Sequence, residues 1–263
     1  MAAPAGTRRL PPAVVEIGVL FGFAVDTGIA AWRSITRGRF AWRECVGQMW
    51  FLAGVCTVPA ILVMIPFGVV VAVEVGSLTG QIGAQSYSGA VVALLIVGQA
   101  APLVCAVMIA GVGGSAMCAD LGARNIREEV DALEVMGIST LERLVVPRIV
   151  AAVLITMLLD SLVMAIGIGA SFAFQVLVQD VTAGSFLGTM TDFAHLSDFI
   201  LSQVKAAAFA VLAAGVCCFK GLTAKGGPAG VGNAVNEAVV LAFFLVFLAN
   251  VGIGEVYALG SGP

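Results

Sequence analysis

The chain has 263 residues, of which 60% are hydrophobic and 11% charged, with a formal net charge of −3 and a mean hydropathy of +1.07. Soluble domains carry about 25% charged residues, so the composition excludes a sizeable soluble domain, and the weakly acidic balance offers nothing to nucleic acid. The six cysteines form no Cys-x-x-Cys pair and fall in or beside apolar runs, so they read as small apolar residues and not as disulfides or metal ligands.

Met1 to Pro12 lacks the layout of a signal peptide and predicts no processing. Residues 12–44 are expected to form an interfacial elbow, with a sixth span over 12–32 as the alternative. Glu16, Asp26 and Arg33 share about a third of the helical wheel, and the following Trp32, Arg37, Arg39, Trp42 and Arg43 suit a membrane surface. Five segments, 49–75, 89–118, 145–177, 198–219 and 236–257, reach or exceed the roughly 20 apolar residues that cross a bilayer, and lipid forces them to be helical.

Basic residues orient the spans. Arg8, Arg9, Arg33, Arg37, Arg39 and Arg43 precede the first, Arg124, Arg127, Arg143 and Arg148 surround the second link, and Lys220 and Lys225 follow the fourth. These are twelve of the thirteen basic residues, and alternating spans put them on one side. The positive-inside rule then makes the N-terminus cytoplasmic and the C-terminus external.

The link 125–138 is the informative segment. Asn125 with Glu128 reads as a capping box that starts a helix at Ile126, and Gly137 as its stop. Ser139 with Glu142 is a second box, opening the third span. Ile126, Val130, Leu133 and Met136 form an apolar stripe, and Glu128, Glu129, Asp131 and Glu134 fill the other faces. About eleven residues are too few for a stable isolated helix. The stripe must therefore be buried, either as an ordinary surface loop on its own domain or as a knob docked into a partner.

Here the sequence resembles the MlaE/YrbE permeases, membrane subunits of ABC-type lipid transporters that work with MCE-domain proteins. The resemblance rests on Glu128 to Ile138, on Gly114-Ser115-Ala116, Asp120 to Arg124 and Val146-Pro147-Arg148. It also rests on Lys220 to Pro228 and Gly232 to Glu237, a run similar to the YrbE permeases of actinobacterial Mce systems. It implies an all-α polytopic fold forming a single permease domain over residues 1–263, with an interfacial helix, five transmembrane helices and a coupling helix. It implies a multi-pass protein of the inner (plasma) membrane that moves a fatty acid, mycolate-type lipid or sterol, inward. The implied partners are a second YrbE-type permease, identical or paralogous, cytoplasmic ATPase subunits and outer-side MCE proteins. Glu128, Glu129, Asp131, Leu133, Met136 and Gly137 would couple to the ATPase. No G-x-x-x-x-G-K-[ST] loop is present, and Gly226 to Gly232 reads as a turn, so ATP and Mg would be used by the partner while this chain binds no cofactor.

Asp160 and Lys205 lie inside spans three and four, at comparable depth in the outer half. A charge near the bilayer centre costs on the order of 2.5–3.5 kcal/mol on insertion scales. They read either as an ion pair or as parts of a polar pocket, with Lys205 facing an anionic lipid group. Glu74 and Gln99 complete the candidate pocket set. Gly98-Gln99-Ala100-Ala101-Pro102 departs from the family's Arg-Glu-Leu-Gly-Pro run, which argues for a different pocket. Gly111, Gly113 and Gly114 suit close helix packing. His195 lies too far from Ser115 for a Ser–His enzyme. The rival reading is a proton- or ion-coupled secondary transporter that titrates Asp160 and Lys205.

Overall fold

The computed structural model describes residues 12–36 and 40–260. Its elements are all helical: α1 (Pro12–Thr36), α2 (Trp42–Gln81), α3 (Gln85–Ile126), α4 (Glu129–Val135), α5 (Leu141–Val178), α6 (Ala183–Phe193), α7 (Leu196–Thr223) and α8 (Gly227–Gly260). Among the described residues five helices, α2, α3, α5, α7 and α8, are long and apolar enough to cross a membrane. Each includes one of the predicted spans and overruns it at both ends. A helix of 40 residues is about 60 Å long, twice the roughly 30 Å hydrocarbon core, so hydropathy marks only the lipid-embedded part.

Side-chain contacts establish which helix ends lie together. Arg148 at the start of α5 bonds Asp120 near the end of α3 and approaches Glu44 at the start of α2. Asn125 at the end of α3 donates through Nδ2 to Ala224 O just past α7, at 3.0 Å. The basic residues of these segments therefore gather at one end of the bundle, called here the basic end. At the opposite end α6 packs on the start of α3, with Thr189 Oγ1 donating to Ser86 O at 3.1 Å and Phe186 fully buried. The segment 178–197, between the third and fourth predicted spans, thus contains a helix, because Phe186 gives it something to bury.

The spine of the bundle is the α2–α5 pair, which meets through small residues. A Cβ on Gly68 would lie 2.8 Å from Gly167 O. Ser171 Oγ donates to Gly68 O at 2.7 Å, and Gln175 Nε2 to Ala72 O at 3.4 Å. With lipid outside, such close backbone approach and interhelical hydrogen bonds hold helices together, in place of hydrophobic exclusion. Gly113 and Gly114 of α3 do the same against Leu52, Cys56 and Cys217, while Gly111 meets Phe243 only at ordinary contact distance.

Three stretches are wound as π-helix: Ile96–Ala100 and Ile109–Gly113 in α3, and Leu141–Val145 at the start of α5. Periodicity of side chains does not reveal them. The Gly226–Gly232 turn is corrected: the turn ends at Gly226 (φ 91°) and Gly227 (φ 72°), and α8 begins there, so the glycines from Gly230 onward are helical. Outside the five long helices, α1 lays Leu20, Phe23, Thr27, Ala30 and Ser34 along one face toward the bundle, and its Phe23 ring sits 5.3 Å from that of Phe219. Asp26, Trp32 and Arg33 are exposed, while Arg37 and Arg39 of the elbow fall outside the described residues.

Candidate functional site

At the basic end the chain leaves α3 at Ile126, reverses through Arg127 and Glu128, and forms the seven-residue α4. Glu128 takes the left-handed conformation (φ 60°) and caps α4 without a side-chain bond. This corrects the expected 125–138 helix. The Asn125–Glu128 box does not form, because Asn125 is still helical and the Glu128 N–H goes to its backbone carbonyl at 3.1 Å; the side-chain Nδ2 donates to Ala224 O. The stop is as expected: Gly137 (φ 72°) donates to Glu134 O and Ile138 to Leu133 O, both at 2.9 Å, the paired bonds of a Schellman end. In the second box the Ser139 hydroxyl accepts from the Glu142 N–H at 3.4 Å.

The four-residue stripe reduces to a two-residue anchor. Val130 is buried and Leu133 half-buried, packed with Leu121, Leu144, Val145 and Cys218. Ile126 belongs to α3, and Met136 faces outward with Val135 and Ile138. Glu128, Glu129, Asp131 and Glu134 are all exposed, and Glu129 meets Arg127 at 3.1 Å. The result is a short projection, acidic along its length and apolar at its tip.

Directly beneath this anchor lies a charge cluster that sequence reasoning missed as a site. The Arg148 guanidinium is fully buried. It donates to Leu144 O at 2.8 Å, inside the π stretch, and pairs with Asp120, with Glu44 at 3.8 Å. Asp120 also meets Arg124 at 3.3 Å. The Asp120–Arg124 spacing was the one available signal; the partners from α2 and α5 had none.

The candidate pocket residues separate in space. Lys205 is 1% exposed and donates through Nζ to Gly98 O at 2.9 Å. That acceptor lies in the first π stretch of α3. Lys205 and Gln99 share a cavity of about 200 Å³ whose other walls include Asp198, Leu201 and Tyr257. Asp160 is buried outside it, accepting from Ser202 Oγ at 2.8 Å and Gln203 Nε2 at 2.9 Å, and makes no ion pair with Lys205. Glu74 is exposed on α2 and lines no part of the cavity. Asp198 and Tyr257 are additions, brought in by the ends of α7 and α8. No cluster of His, Cys, Asp and Glu suited to a metal occurs among the described residues, and all six cysteines are buried and unpaired.

The profile of the permease family described as Permease MlaE matches residues 45–255, four-fifths of the chain. The chain belongs to the MlaE permease family. Similar relatives include "Probable ABC transporter permease protein slr1045" of Synechocystis, 29% identical over 228 residues that cover 87% of both chains. A probable ABC transporter permease protein of Rickettsia bellii is 26% identical over 87% of this chain and 88% of its own length. The chloroplastic protein TRIGALACTOSYLDIACYLGLYCEROL 1 of Arabidopsis thaliana is 27% identical, and the match spans 87% of this chain but 65% of that protein. As an MlaE permease with five apolar helices, the chain is a multi-pass membrane protein and a transport subunit that is not itself an enzyme. Its relatives are permeases of ABC transporters, which implies an ATPase partner. These matches do not single out the YrbE permeases within the family.

Proposed function

We propose that this MlaE permease is the membrane subunit of an ABC lipid transporter in which α4 is the lever and the Lys205 cavity receives the polar end of the lipid. The observation that carries this reading is the shape of α4. It is a projection anchored on Val130 and Leu133, whose acidic flank and apolar tip are presented outward. A cytoplasmic ATPase with a basic, apolar-floored cleft is its fitting partner, which requires the basic end to face the cytoplasm, as the positive-inside rule would have it.

In this reading, nucleotide-driven movement of α4 passes to the Arg148 cluster at its root and so to α2, α3 and α5 together. The cavity holds one buried ammonium among mostly apolar walls, with Gln99, Asp198 and Tyr257 as its other polar lining, and in this reading Lys205 meets a carboxylate or phosphate monoanion. The lipid content of the reading draws support from the family resemblance, as do a second YrbE-type permease, MCE partners, inward movement and a fatty acid, mycolate-type or sterol cargo. An ion-coupled carrier working through an Asp160–Lys205 pair is the weaker reading, since the two residues have separate partners.

The test is ATPase-linked lipid transport in proteoliposomes carrying the purified complex. Reversing Glu128 and Glu129 to Arg is expected to abolish the lipid-stimulated part of hydrolysis while the membrane domain keeps its melting temperature. Lys205→Met is expected to lower the apparent affinity for acidic lipids about tenfold and leave neutral ones unchanged. Transport at the native rate in the charge-reversed complex would refute the lever role.

A further inference from the structure

A second cavity, sharing no wall with the first, lies beneath α1. It measures about 300 Å³ and is bounded by Thr27 and Gly28 of α1, Ile149 and Val150 of α5, and Leu212 and Gly215 of α7, among other apolar residues. The Lys205 cavity takes its α7 wall from Leu201 and Lys205, some ten residues nearer the opposite end. Among the described residues Thr27 is the only polar side chain in the lining, it is 6% exposed, and its hydroxyl has no partner. This is unusual for a helical threonine, whose default is the carbonyl four residues back. Thr79, Thr156 and Thr223 all take that default. Gly28 and Gly215 leave further room, since a Cβ on either would meet nothing within 4 Å.

We infer that this cavity binds one acyl chain of a glycerophospholipid from the leaflet at the basic end, with the Thr27 hydroxyl donating to its ester carbonyl. Three features in a row match the three parts of such a lipid. The apolar cavity takes the upper part of the chain, and its volume, at the small end of ligand pockets, leaves no room for a second chain. Thr27 supplies the single donor that an ester carbonyl needs. Arg33 and Arg143, both exposed, lie two and three residues along the chain from the lining residues Ala31 and Val146 and provide charge for the phosphate. A sterol or hydrocarbon would leave the arginines without a role. The bound lipid is a resident, not cargo: it fills the gap that α1 leaves against α5 and α7, and so holds α1 against the bundle next to the π stretch that follows α4.

The inference stands apart from the transport reading and is tested without transport. The full-length chain, purified with its co-purifying partners, is placed in nanodiscs containing a phosphatidylglycerol with a photoreactive acyl chain, irradiated, and mapped by peptide sequencing. Label is expected on Ala24–Gly28 or Val211–Val216. Gly215→Phe, which fills the cavity, is expected to cut that label about tenfold. Thr27→Val, which preserves shape, is expected to cut it roughly two- to tenfold, the worth of one net hydrogen bond. Lys205→Met is expected to leave it unchanged, which separates this site from any cargo site. A diacylglycerol carrying the same chain should label more weakly; equal labelling would overturn the phospholipid assignment. No label on these segments, label that survives Gly215→Phe, or crosslinks joining them to another stretch of polypeptide would overturn the site itself.

Discussion

Arg148 is an asymmetric partner in its cluster, and the asymmetry makes a prediction. Its guanidinium is wholly buried, whereas the Asp120 and Glu44 side chains keep 40% and 34% of their surface exposed. Removing the arginine leaves two carboxylates that water can solvate. Removing Asp120 instead strands a buried cation, with only the more distant Glu44 near it. Breaking a buried pair from one side costs about 3–5 kcal/mol when the survivor stays dry. Asp120→Ala is therefore expected to lower the melting temperature in detergent more than Arg148→Met, and the double variant is expected to regain the stability of Arg148→Met alone. A double variant less stable than Asp120→Ala would show that the cluster does not work through the stranded charge. The burial and partners of Arg148 could not be read from the sequence, where it stood as one of the orienting basic residues and as the last residue of a Val-Pro-Arg run. Lys205 differs: as the lone cation deep in an apolar run it drew notice at once, but its acceptor, Gly98 O, is a backbone atom with no signature in residue identity.

At the scale of elements, the capping signals divide instructively. Gly137 acts as read, and the Ser139–Glu142 box forms in its hydroxyl half alone, because their work is local: a left-handed stop and a hydroxyl bonded to the N–H three residues on. Asn125 does not cap because it still lies inside α3, with the Glu128 N–H bonded to its backbone carbonyl and its own Nδ2 donating to Ala224 O, 99 residues away. Where the helix stops where the pattern says, pattern decides; where it runs on past the pattern, it does not. Substitutions in the α2–α5 spine turn on a different distinction. A Cβ on Gly68 meets backbone, Gly167 O at 2.8 Å, while a Cβ on Gly167 meets the terminal methyl of Met64 at 2.0 Å. A thioether end can swing away, being the most adaptable group in a core; a helix backbone cannot. Gly68→Ala is thus expected to destabilise by about 1–3 kcal/mol, the range for overpacking, and Gly167→Ala by less, as measured by thermal unfolding in the same detergent. The opposite order would mean that the helices separate more easily than the Met64 side chain turns.

The whole molecule is organised by the contrast between its two ends, and that contrast was readable because charge is excluded from lipid. Arg43, Arg124, Arg127, Arg143, Lys220 and Lys225 lie at helix ends that the Arg148 and Asn125 contacts bring together. The same exclusion explains why the site was less readable: within the spans most residues are apolar whether they face lipid, core or cavity, so α1 gave no hint of a gap beneath it. Orientation relative to the two compartments remains a property of the molecule in its membrane, and the buried cysteines make it directly measurable. All six native thiols are fully buried, so a membrane-impermeant maleimide has no native target and reporter cysteines can be placed in the natural background. Lys225, exposed in the turn before α8, and Asp192, exposed near the end of α6, mark the two ends. In intact cells Asp192→Cys is expected to react with external maleimide while Lys225→Cys reacts only after the membrane is opened. The reverse pattern would place the basic end outside, remove α4 from any cytoplasmic ATPase, and refute the proposed lever at a single stroke.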